Sequence, residues 1–127
     1  MIKLKSVNEI SGIRESCKFL AETHKELAKL VDIGITTNEL DRFARNYIEK
    51  RGGKPAFLGY MDYPASLCTS INEVVIHGIP SNRKLKDGDI ISLDLGIDYK
   101  GFFSDAAVTL TVGNISEEAE RLIRITK

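Results

Sequence analysis

Apolar residues recur with two different periods along this chain. The change of period separates a helical first part from a strand-rich second part. Val7, Ile10, Ile13, Cys17, Leu20, Ala21, Leu27, Ala28 and Val31 fall on one face of a long helix, which the pattern carries to near Gly34. Ser6 and Glu9 form a capping box at its start. Thr36 and Glu39 form a second box, opening a helix with Leu40, Phe43, Ala44, Tyr47 and Ile48 on one face. Arg51-Gly52-Gly53 stops that helix. Cys17 and His24 lie in or beside the first apolar stripe and are expected to be packing residues.

Lys54 to Pro64 is rich in Gly, Pro and aromatic residues and reads as a loop. Beyond it the runs shorten to strand length. Four strands are predicted, over Leu67–Ile71, Val74–His77, Ile90–Ile97 and Phe102–Val112, with a polar turn from Pro80 to Gly88. Ser116 then caps a helix whose first turn carries Glu117 and Glu118 and whose apolar stripe begins with Ala119, Leu122 and Ile123. The sequence stops at Lys127, about three turns into that helix, with no C-cap signal. That ending is expected of a cut chain.

Composition narrows the classes. The 127 residues are balanced in charge, with 18 Lys+Arg against 18 Asp+Glu, so no nucleic acid or anionic membrane surface is indicated as a partner. No apolar run approaches the ~20 residues of a membrane span, and no signal-peptide pattern opens the chain. Cys17 and Cys68 have no CxxC spacing, which argues against a disulfide framework or a zinc knuckle. These features fit a cytoplasmic protein with reduced thiols.

The candidate chemistry lies in the predicted hairpin. Ile91, Leu93 and Leu95 share one face of its first strand, and Ser92, Asp94 and Gly96 share the other. With Asp98-Tyr99-Lys100-Gly101 as the loop, a hairpin symmetric about the Tyr99–Lys100 bond sets Asp94 directly opposite Asp105. Opposed like charges are destabilising, so two carboxylates there need a reason. A divalent cation held between them is one, and a pair sharing a proton for acid–base work is another. A three-residue loop with a bulge at Gly101 would instead send Asp105 to the opposite face. His77, ending an apolar run before a Gly/Pro turn, is either a hydrogen-bonded structural residue or an acid–base group.

Four ordered motifs resemble those of the type I methionine aminopeptidases of bacteria. They are the block from Ser70 to Pro80 (SINEVVIHGIP), the LKDGDI element from Leu85 to Ile90, the aspartates at 94 and 105, and Gly59–Pro64. In the last, Asp62 stands where that family usually has glycine. The resemblance covers essentially the whole chain and implies an α+β fold, the N-terminal half of a "pita-bread" architecture, with two helices packed on a curved antiparallel β-sheet. Residues 1–127 would form one incomplete domain, in which 115–127 begins a helix of the second half.

The resemblance also implies a function: removal of the initiator methionine from nascent polypeptide N-termini by hydrolysis assisted by two divalent metal ions (Co, Mn, Fe, Zn or Ni). Asp94 would chelate one metal and Asp105 bridge both. His77 would contact substrate near the scissile amide as a hydrogen-bonding or proton-handling group. Phe57, Tyr60, Tyr63 and Cys68 would help line the methionine pocket, where aromatic rings and a thiol suit a thioether. The family's other ligands, a histidine and two glutamates, have no counterpart here, so weak metal binding and little activity are expected of this chain alone. Whole members of the family are mostly monomeric. This chain is expected to expose an apolar patch on its inner sheet face and to self-associate through it. A proline-specific aminopeptidase or prolidase of the same fold, or a non-catalytic binding module, are the competing readings.

Overall fold

The computed structural model describes residues 2–126. Both capping boxes form. Ser6 Oγ accepts from Glu9 N at 3.3 Å while Ser6 N donates to Glu9 Oε2 at 2.7 Å, opening α1 (Val7–Ala28). Thr36 Oγ1 accepts from Glu39 N at 3.2 Å while Thr36 N donates to Glu39 Oε2 at 2.8 Å, opening α2 (Thr37–Glu49). Reciprocal caps satisfy donors that a helix start otherwise leaves unpaired.

Helix α1 ends earlier than the apolar periodicity suggests. Gly34 N donates to Leu85 O and Leu85 N to Ile35 O, both at 2.8 Å, drawing the chain away from the helix axis. Leu30 and Val31 still pack on the core from outside the helix, which is why the periodicity ran on.

The buried face of α1 is Ser16, Phe19, Leu20, Thr23, His24 and Leu27, whereas Val7, Ile10, Cys17, Ala21 and Ala28 are exposed. Polar side chains occupy the buried stripe where neighbouring groups offer them hydrogen bonds, although His24 Nδ1 is buried without a partner. Ser16 Oγ donates to Ser104 Oγ at 2.8 Å, Thr23 Oγ1 donates to Phe19 O at 2.9 Å, and His24 Nε2 lies 3.0 Å from Ala106 O. Burial without such partners would be costly. His24 is therefore a packing residue, as expected, and Cys17 is not.

The remaining elements are β1 (Lys54–Pro55), a 3-10 turn (Tyr60–Asp62), β2 (Leu67–Ile71), β3 (Ile90–Tyr99), β4 (Phe102–Thr111) and α3 (Glu117–Thr126). The strand β1 falls inside the predicted loop. Strand β3 is the axis of an antiparallel sheet, pairing with β4 along its whole length and with β1 and β2 along its other edge. Ile91, Leu93, Leu95 and Ile97 are fully buried beneath α1 and α2 and form one cluster with Leu27, Leu40, Ala44, Ile48, Leu67 and Ile71. The opposite face carries Ser92, Asp94 and Gly96, so alternation along β3 separates core from site.

No strand forms over Val74–His77. Asn72, at φ 52°, ends β2: its Nδ2 donates to Asp89 Oδ1 at 2.8 Å and its Oδ1 accepts from Ile90 N at 3.0 Å. These bonds close β2 against the start of β3 and turn the following residues away from the sheet. Helix α3 is capped by Ser116, whose Oγ accepts from Ala119 N at 3.2 Å, and its Ala119 and Ile123 are half-buried. No helix is long and apolar enough to cross a membrane among the described residues.

Burial holds the His24 imidazole below its ordinary pKa, against a smaller opposing effect of the bond to Ala106. The unfolded chain then binds a proton that the folded chain refuses. Stability contributed by neutral His24 is full above the unfolded value of about 6.5 and is lost as pH falls below it. His24→Gln keeps a donor for Ala106 without titrating. Urea unfolding at pH 7 and pH 5 should show a smaller acid-induced loss in this variant than in the parent chain, and equal losses would refute the assignment.

Candidate active site

The β3–β4 turn decides where the aspartates lie. Asp98 and Tyr99 belong to β3, leaving Lys100 and Gly101 as the whole loop, both with positive φ (55° and 82°). Positive φ at both central residues is what a two-residue type I′ hairpin needs. Lys100 takes it with its ammonium 3.3 Å from Glu15 Oε2 and 4.8 Å from the centre of the Tyr99 ring, and Asp98 Oδ1 accepts from Gly101 N at 2.9 Å.

Asp94 consequently pairs with Ala107, and Asp105 pairs with Gly96. The directly opposed arrangement expected from a four-residue loop is incorrect, and so is the bulged alternative. The shift is two residues, so the parity survives and both carboxylates point to the face away from the helices. They are diagonal neighbours, separated by roughly 7–8 Å between backbones, within reach of side chains extending toward each other. Burial, with the Asp105 carboxylate beside it as the next cause, raises Asp94 above its ordinary range, while His77 acts the other way.

One cavity of about 570 Å³ collects the residues singled out from the sequence. Phe57, Tyr60, Tyr63, Cys68, His77, Asp94 and Asp105 all line it. Cys68 sits beside Asp94 across β2 and β3. Burial, chiefly, raises the Cys68 thiol, and the nearby Asp94 and Asp105 add to this while Tyr63 opposes it. A neutral thiol among rings makes an apolar, polarisable wall rather than a nucleophile. Among the residues singled out from the sequence, the protonation and metal questions therefore rest on Asp94, Asp105 and His77.

The structure adds wall residues beyond those seven: Met61, Asp62, Pro64 and Ile79. Met61 and Asp62 take positive φ (47° and 63°), a region that non-glycine residues seldom adopt and Asp tolerates better than most. Gly96 also matters. A Cβ there would stand 2.6 Å from Phe57 Cε1 and 3.1 Å from Ala56 Cβ, so its absence lets the Phe57 ring lie against the sheet. An isolated glycine inside a strand was the available sequence signal for that approach.

One further expectation needs revision. The inner sheet face is largely polar, with Ser92 Oγ 2.8 Å from Thr109 Oγ1 beside the aspartates and Phe103 as its exposed large apolar side chain among the described residues. More exposed apolar side chains occur on the loops around the cavity, including Met61, Val75, Ile76 and Ile79. A second cavity of about 450 Å³ lies between α1, β4 and α3, but it holds no carboxylate or thiol. Among the described residues no set of three or more His, Cys, Asp or Glu side chains converges as a metal site. The donors suit a divalent cation in kind, two oxygen ligands relieved of repulsion by positive charge, but not in number.

Comparison with known proteins agrees with this geometry. Residues 11–127 match metallopeptidase family M24, a family that implies divalent metal cofactors. The chain is 56% identical to a methionine aminopeptidase of Clostridium perfringens over its whole length, covering 51% of that protein. It is 45% identical to methionine aminopeptidase 1 of Bacillus subtilis, again covering 51%. The crystal structure of methionine aminopeptidase from Rickettsia prowazekii superposes with a TM-score of 0.97 at 36% identity, over 99% of this chain and 51% of that one. The chain thus spans about half the length of the relatives it matches, and the architecture is half of a pita-bread fold. With the family model matched over residues 11–127 and the fold superposing on half of a relative, the chain belongs to metallopeptidase family M24.

Proposed function

We propose that this chain supplies one half of a methionine aminopeptidase site, which removes the initiator methionine from nascent polypeptides in the cytoplasm. The observation that carries the reading is the convergence of Asp94, Asp105 and His77 with Phe57, Tyr60, Tyr63 and Cys68 around one cavity. The names of the curated relatives support it. On this reading residues 1–127 are the first half of a catalytic domain, and residues 115–127 lead into the second.

Asp94 and Asp105 would hold divalent ions, Asp105 shared between two and Asp94 on one. Bound there, the ions supply Lewis-acid activation of water and of the scissile carbonyl. This chain's own residues do the rest. The rings and thiol take an unbranched thioether side chain out of water. His77, lining the same cavity, would offer a ring nitrogen to the amide. Cobalt, manganese, iron, zinc and nickel are all compatible with a site whose oxygen ligands are completed elsewhere. Two carboxylates leave a cation mostly hydrated, so binding by this chain alone is weak.

Asp94→Asn tests the pair. In a chelator at pH 7 it removes the repulsion and should stabilise the fold by less than about 1 kcal/mol given partial exposure, read as a higher midpoint of thermal unfolding. Millimolar Mn²⁺ should raise the midpoint of the parent chain but not of Asp94→Asn or Asp105→Asn. A Mn²⁺ response that persists in both variants would remove the metal assignment. Release of methionine from a short peptide by the 127-residue chain should stay near background with Mn²⁺. Robust, metal-dependent release would show that no further ligands are needed.

A further inference from the structure

We propose that Tyr63 and Ser70 are positioning residues for His77, whose hydroxyls dock Gly78 onto β2 and so fix the neighbouring side chain at the cavity. The inference rests on the reading of His77 as a substrate-contacting group.

Packing does not hold His77. No helix or strand forms between Asn72 and Pro80, and Val75 and Ile76 are 85% and 63% exposed. His77 itself takes φ 58°, a conformation unfavourable for a residue with a β-carbon, so a restraint from outside must maintain it. That restraint is concentrated on Gly78. Its carbonyl accepts from Thr69 N at 2.7 Å and from the Tyr63 hydroxyl at 3.2 Å, with Thr69 Oγ1 more distant at 3.4 Å. Its N–H donates to Ser70 Oγ at 3.1 Å.

The Tyr63 hydroxyl proton is shared with Leu67 O at 3.1 Å, which ties the Tyr63 loop, the start of β2 and Gly78 together. Burial, then the nearby Cys68, pushes the Tyr63 phenol well above its ordinary pKa, so it stays a neutral donor. No side chain fits at Gly78, because a Cβ there would overlap the carbonyl oxygen of Thr69. The backbone of residue 78 therefore lies directly on the edge of β2. His77 inherits its position from that contact, one residue away. Tyr63 thus has two parts with separable duties: its ring walls the cavity, and its hydroxyl sets the place of His77.

The test uses the 127-residue chain without metal, so its outcome is independent of whether Asp94 and Asp105 bind a cation. Ser70→Ala should speed exchange of the Gly78 amide by roughly fivefold to tenfold, the factor expected for one net hydrogen bond. The Leu93 and Leu95 amides should stay protected, and Ser70→Thr should restore Gly78. In Ser70→Ala and in Tyr63→Phe, the nuclear Overhauser effects that tie the His77 ring to the cavity wall should weaken or vanish. Unchanged His77 contacts in either variant would overturn the role of that hydroxyl. Loss of protection at Leu93 and Leu95 together with Gly78 in both variants would overturn the proposal as a whole, because the hydroxyls would then be holding the sheet.

Discussion

The two-residue turn at Lys100-Gly101 sets the register on which the site depends. Every pairing between β3 and β4 follows from it, including the one that brings Asp94 and Asp105 to the same face two residues out of step. A one-residue change in this loop would send one carboxylate among the helices, where burial of an unpaired charge is prohibitive. The turn is itself tied down. Lys100 reaches Glu15 on α1, and Asp98 caps the Gly101 amide. The same helix supplies Ser16, which bonds Ser104 on β4. Helix and hairpin thus hold one another in register.

Much of this was legible in the sequence because local rules acted without competition. Both capping boxes formed as read, and alternation along Ile91 to Gly96 correctly separated the core face from the site face. The register was misjudged because Asp98 and Gly101 carry turn chemistry, while the strand was free to continue through Asp98 and Tyr99. Parity rescued the conclusion: shortening the loop by two residues changes the partner of Asp94 but not its face.

The errors elsewhere share a cause, which is tertiary hydrogen bonding that leaves no periodic trace. Ser16 is buried in α1 because its hydroxyl bonds Ser104 on β4, so an apolar stripe could not find it. Val74 to His77 has the composition of a strand, yet the Asn72 side chain closes the end of β2 first. Helix α1 stops because Leu85, some fifty residues away in sequence, pairs with Gly34 and Ile35. Asp41 acts similarly, its Oδ1 accepting from Ser66 N and Leu67 N at 2.8 and 2.9 Å and so aligning the start of β2 beside the cavity.

The site is therefore built from two kinds of support with different stiffness. Asp94 sits between Leu93 and Leu95, both fully buried, so moving its backbone would disturb the core. Such a carboxylate stays in place even where burial and the neighbouring Asp105 disfavour its charge. That is how a fold can keep like charges together ahead of any cation. His77 lies on a segment with exposed apolar neighbours and a strained backbone, held by hydrogen bonds to one glycine. Asp94 is thus fixed by the hydrophobic core, and His77 by the hydrogen bonds that hold the neighbouring Gly78. Local opening costs least where few apolar contacts are lost, so the His77 segment is the part of the site that should move first.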